Sequence, residues 1–135
     1  MNVMQTSYSA MWAEAVNDQE GVAKADQRTQ EHWESKASRL GFGIYKARCF
    51  CERLTREYDS PWFQPSEVES GRLYLINKHH WHPEQVKGLN LIHLMTLLHA
   101  ELVEMKLTEK EWEPVRNWTA QMSCYSALAK SAGQD

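Results

Sequence analysis

Apolar positions along this chain recur mostly at helical intervals. The clearest run is Trp33, Ala37, Leu40, Ile44, Ala47, Cys51, Leu54 and Tyr58, with steps alternating between four and three residues. That is a heptad seam, and it predicts one long amphipathic helix over 33–58. Gly41 and Gly43 lie inside it, and each weakens an isolated helix by roughly 1 kcal/mol relative to alanine. They are tolerable where a second backbone crosses closely, and Ala37, Gly41 and Ala47 would supply such a thin face.

The flanking segments read less sharply. Residues 1–32 are polar and acidic, but Tyr8, Met11, Trp12, Ala15 and Val16 could line one side of a short helix that Gly21 interrupts. A loosely packed segment, or one completed by a partner, is expected there. Pro61 and Pro65 stop the long helix, because proline lacks an N–H and biases the residue before it toward extended geometry. Ser66 followed by Glu69 is a capping-box pattern. Residues 72–76 (Arg-Leu-Tyr-Leu-Ile) could form a short strand, but they read rather as helical or irregular, since no convincing second strand exists to pair with them.

His82-Pro83 opens the next element, proline being suited to the first turn of a helix. From Val86 to Leu107 apolar side chains fall on nearly all sides, which predicts a helix buried centrally or covered by another chain. Thr108 to Glu111 is a second capping box, starting a last helix with Val115, Trp118, Met122, Tyr125 and Ala129 on one face and Gly133 at its end. The short link at Leu107–Thr108 predicts an antiparallel helix hairpin. The expected fold is therefore all-α: one domain over 1–135, a compact bundle of about four helices closed by that hairpin.

Composition narrows the classes of function. The chain has 135 residues and a net charge of -3, so whole-molecule attraction to nucleic acid or an acidic membrane is not expected. The three cysteines, an odd number with two separated by one residue, do not form a disulfide framework and suit a reducing compartment. The N-terminus lacks the basic and apolar regions of a signal peptide. The stretch Leu89–Leu107 is interrupted by Asn90, His93, His99, Glu101 and Glu104, so it does not read as a membrane span. A cytoplasmic protein is expected.

Candidate chemistry is sparse. His79, His80 and His82 precede the apolar run and are the candidate metal ligands, but they lack the convergent spacing of a dedicated zinc site. Cys49 and Cys51 are about 200° apart on a helix, so they cannot share a metal. The spacing of Glu101 and Glu104 resembles the Glu-x-x-Glu of helical nucleotide pyrophosphohydrolases. Residues 115–132 carry no acidic pair to complete such a magnesium site, and that reading is set aside. No nucleophile elbow or phosphate-cradling loop is present, so no catalysis and no cofactor are expected. Arg39, Lys46 and Arg53 recur every seven residues beside the seam, and this stripe is the alternative, nucleic-acid-binding reading.

Tryptophan is the compositional oddity, with six residues. Large aromatics at loops and helix ends are what an interface core needs. The leading expectation is a non-catalytic regulator that recognises another protein, such as an anti-activator masking the assembly surface of a transcription regulator or enzyme, and that forms a homodimer. Its candidate contact residues are Trp62, Phe63, Tyr74, Trp81, His82 and Trp112.

Overall fold

Hydrogen-bonding side chains mark where most of the helices begin. In the computed structural model, which describes residues 7–26 and 31–134, Ser7 caps the first helix, α1 (Tyr8–Ala25), by accepting from the Ala10 N–H. Ser66 and Glu69 form the reciprocal capping box expected at the start of α3 (Glu67–His79). Between them runs α2 (Trp33–Tyr58), unbroken for 26 residues. Then follow α4 (Pro83–Val86), α5 (Leu91–Leu97), α6 (His99–Glu104), α7 (Glu109–Thr119) and α8 (Tyr125–Ala129), with short strands β1 (Leu107–Thr108) and β2 (Ala132–Gln134). The fold is mostly helical, and residues 72–76 belong to α3. No helix among the described residues is long and apolar enough to cross a membrane.

The chain divides into two units, one comprising residues 1–45 with 105–135 and the other residues 46–104. In the first, α1 packs on α7. Its centre is Trp12, fully buried, which meets Tyr45, Trp118 and Phe42 edge-on at ring separations of 5.4, 6.3 and 6.4 Å. Edge-to-face contacts set the positive ring edge against a negative face and add to the burial energy. The N-terminal helix is thus part of the core rather than loosely packed, and it continues through Gly21; Met1–Thr6 and residues 27–30 lie outside the described residues.

Close approach of α1 to α2 depends on Gly41. A Cβ there would stand 2.8 Å from the Ala15 carbonyl oxygen and 3.1 Å from the Val16 nitrogen. The backbone crossing expected from the thin face therefore exists. In the second unit Gly71 plays the same part for α3: a Cβ would stand 2.8 Å from Leu94 Cδ1 and 3.0 Å from Cys51 Sγ.

Two expectations fail for local reasons. The apolar run 86–107 is not one helix. Gly88 lies in a turn, and Asn90 starts a new helix by accepting from the His93 N–H at 3.0 Å, while His93 Nδ1 accepts from the Asn90 N–H at 3.1 Å. Leu98 then leaves helical geometry before α6. On this stretch Val86, Leu94, Leu98, Leu102, Met105 and Leu107 are buried, whereas Ile92, Leu97 and Val103 stay exposed.

The predicted last helix, from Thr108 to Gly133, is also broken. Leu107–Thr108 pairs as a parallel strand with β2, the Leu107 N–H donating to the Ser131 carbonyl at 2.6 Å. Thr108 caps α7 as expected, but α7 ends at Thr119, and turns at 120–124 lead into α8. Gly133 sits at φ +118° within β2, a conformation that disfavours any side chain.

The Gly41→Ala variant should lose about 2 kcal/mol of stability, the usual scale for forcing an atom into a filled core. Gly21→Ala, whose added Cβ meets nothing within 4 Å, should gain roughly 0.5–1 kcal/mol from helix propensity. Urea denaturation of the two variants beside the parent reads both signs.

Candidate functional site

Pro61 and Trp62 are the central residues of a tight turn. It is closed by the Ser60 N–H donating to the Phe63 carbonyl at 2.9 Å and by the reverse bond at 3.2 Å. Proline presets the first central position of such a turn. Trp62 therefore stands on a constrained backbone with 87% of its surface exposed. Among the large apolar side chains of the described residues it is the most exposed.

Beside it lies a shallow groove of about 350 Å³. Phe63, Leu73, Ile76, Pro83 and Val86 give it apolar walls, and Glu69, Arg72, Glu84 and Lys87 a rim of mixed charge. Its shape follows from local bonds. Arg72 donates from Nε and Nη2 to the Leu89 carbonyl at 2.9 and 2.6 Å, tying α3 to the loop before α5. His82 starts α4 by accepting from the Glu84 N–H at 3.1 Å through Nδ1, while the Gln85 side chain accepts from the His82 N–H at 2.8 Å. These bonds set the Pro83–Lys87 wall opposite Leu73 and Ile76. The Ser66 N–H and hydroxyl also hold the Glu69 carboxyl below its ordinary pKa, keeping the rim charged.

The structure separates the predicted contact residues. Trp62 and Phe63 stay exposed, and Phe63 lines the groove. His82 is exposed but serves as the helix cap. Trp81 is half-buried, its ring stacked on His79 at 4.6 Å and 24°. Tyr74 is half-buried as well, edge-on to Phe50 at 5.2 Å, with its hydroxyl donating to Glu101 Oε2 at 3.1 Å. Trp112 is corrected outright. It is 5% exposed and leans on Tyr125 at 5.9 Å, so it belongs to the core of the first unit. Leu73, Ile76 and Val86, which the sequence reading passed over, form the groove; the available signal was the three-residue step from Leu73 to Ile76 on a capped helix.

The alternative sites come apart. His79 stacks on Trp81, His80 closes α3 in the left-handed region at φ 56°, and His82 caps α4. Each has a separate structural task, and no three His, Cys, Asp or Glu side chains converge on a metal position among the described residues. The basic stripe fails at its centre: Lys46 is 6% exposed, and Arg39 is bound to Glu31 at 3.1 Å. A buried lysine cannot lie along a phosphate backbone. The three cysteines are buried. Burial, followed by the nearby Glu67 charge, pushes the Cys51 thiol up to about 12, which leaves it protonated and unreactive at neutral pH.

No protein-family model, curated protein or solved structure matches this chain.

Glu101 links Tyr74 and Lys78, and its second oxygen, Oε1, is buried with no hydrogen-bond partner among the described residues. Burial raises its pKa. Hydrogen bonds from Lys78, the backbone and Tyr74, together with the Lys78 charge, more than reverse that and leave it below the ordinary glutamate value. A depressed carboxyl stabilises the fold above its unfolded pKa, and that contribution is lost as pH falls through the folded value. Glu101→Gln should therefore be less stable than the parent at neutral pH, and the gap should close below the ordinary glutamate range. Thermal melts across an acid series measure it.

Proposed function

We propose that this chain is a non-catalytic recognition protein whose contact surface is the Trp62 turn and the adjoining groove. The observation that carries this reading is an 87%-exposed tryptophan on a turn closed by two backbone hydrogen bonds. Exposed tryptophan is costly in water and is a frequent interface anchor. Because its backbone is already constrained, docking loses little conformational entropy. Covering the indole recovers on the order of 4 kcal/mol of apolar burial before association costs.

The partner is another protein, as in a regulator that masks the assembly surface of a transcription regulator or enzyme. The first candidate is a second copy of the chain, since a projecting aromatic beside its own groove can make the reciprocal contact that two-fold symmetry requires. Three buried free cysteines suit work in a reducing cytoplasm. The absence of catalysis is supported by the protonated state of Cys51 and by histidines already committed to capping and stacking.

Replacing Trp62 with a photo-crosslinking aromatic tests the proposal. Irradiation in a native extract should give one discrete adduct, at twice the chain mass for a homodimer or at another single mass for a different partner. The same probe at Glu113, an exposed position in the other unit, should give none. A smear, or equal labelling from both positions, overturns the proposal. Trp62→Ala should leave stability within about 0.5 kcal/mol of the parent while weakening association at least tenfold, as for a hot spot.

A further inference from the structure

A second aromatic feature lies in the other unit and is chemically different. A small pocket of about 140 Å³ is bounded by Trp33 and Trp118, with Val16 and Asn17 beside them and Glu20 and Glu34 completing the lining. The space is well below the roughly 300 Å³ of sites for drug-sized ligands, so it suits a head group rather than a whole metabolite. Two indoles and two carboxylates around one small volume form an environment for a cation with an apolar surface. Indole faces attract positive charge through the ring quadrupole, and the carboxylates add direct attraction.

The chain already illustrates this recognition at the pocket's edge. The Lys24 ammonium lies 4.3 Å from the centroid of the Trp33 ring and 3.4 Å from Glu20 Oε1. Both of those residues line the pocket. An amine of the protein's own thus engages one of the two indoles and one of the two acids, while Trp118 and Glu34 stand on the lining without it. A metal ion is a poorer fit, because two carboxylates supply too few oxygen ligands for calcium and indole walls offer none. Neutral apolar groups gain nothing from the acids.

We propose that the Trp33–Trp118 pocket binds a small organic ammonium cation of the choline or methylated-amine class. Its positive head would face the indoles between Glu20 and Glu34, in competition with Lys24. This site is independent of the Trp62 surface.

Choline chloride, titrated into the full chain against sodium chloride at matched ionic strength, tests it. The indole N–H resonances of Trp33 and Trp118 should shift saturably. The uncharged analogue 3,3-dimethylbutan-1-ol, with carbon in place of the quaternary nitrogen, should bind roughly tenfold more weakly. Glu34 is exposed, so Glu34→Gln should keep the fold and weaken binding about threefold or more. Lys24→Ala should tighten it by removing the internal competitor. Equal binding of choline and the neutral analogue would reduce the pocket to an apolar dimple and overturn the proposal. So would shifts confined to other tryptophans, or no saturable shift at tens of millimolar choline.

Discussion

Burial of α2 on most of its circumference is the constraint from which the rest of the structure follows. Ala37, Ser38, Tyr45, Ala47, Cys49 and Cys51 have no exposed surface, and these positions do not share one face. A helix enclosed in this way needs small side chains where neighbours approach and partners for each polar group it takes inward. Gly41 meets the first need against α1. The second is met in several ways. Ser35 accepts from the Cys124 N–H at 3.1 Å and lies 2.9 Å from the Ser123 hydroxyl, Ser38 donates to Met122 Sδ at 3.6 Å, and the Tyr45 hydroxyl donates to the Glu111 carbonyl. Lys36 is enclosed with Asp26 as an ion pair. Such a pair adds little net stability relative to apolar residues, but losing one partner strands a buried charge. The turns after α7 are therefore held by the polar side of α2 as well as by apolar contact.

That polar side explains what the sequence concealed. The heptad of α2 was legible, and so were the capping boxes at Ser66 and Thr108, because each is a short-range pattern with one physical meaning. The identity of the most enclosed helix was not legible. Serines and lysines at 35, 36, 38 and 46 look solvated in a sequence, whereas the leucine-rich run 86–107 looks like a core helix. Hydropathy cannot count the hydrogen bonds that make Ser38 welcome inside. Nor does it register that Asn90 prefers to cap a new helix to continuing an old one. The strand pairing of Leu107–Thr108 with 132–134 was equally hidden, since a parallel pair of two or three residues leaves almost no alternation to read.

The aromatic residues show the same division at the candidate site. Trp62 and Trp112 both lie near element ends, and sequence position alone treats them alike. Their fates differ because of their neighbours. Pro61 fixes a turn that points residue 62 away from its own unit, whereas Trp112 sits in the first turn of α7, whose inner face also carries Val115 and Thr119. The histidines divide in a similar way. At 79, 80 and 82 they are too close in sequence to reach one point once a helix ends and another begins between them. A cluster in the sequence becomes three separate structural tasks.

The two exposed aromatic features would discriminate between ligands by different physics. The Trp62 turn and its groove combine a large apolar area with a rim carrying both signs of charge. Selection there would come from shape and from which charges meet, and would vary little with salt because opposite rim charges partly cancel. The charged residues on the lining of the Trp33–Trp118 pocket are both acids. An ammonium head gains there from both quadrupole and Coulomb terms, and screening weakens only the second. Lys24 sharpens that selectivity. A group that reached Trp33 beside Glu20 would compete with the Lys24 ammonium held there, and a neutral group would not replace the Lys24–Glu20 attraction it disturbed. The internal lysine thus sets a threshold that only a cation with a larger apolar surface than its own would pass.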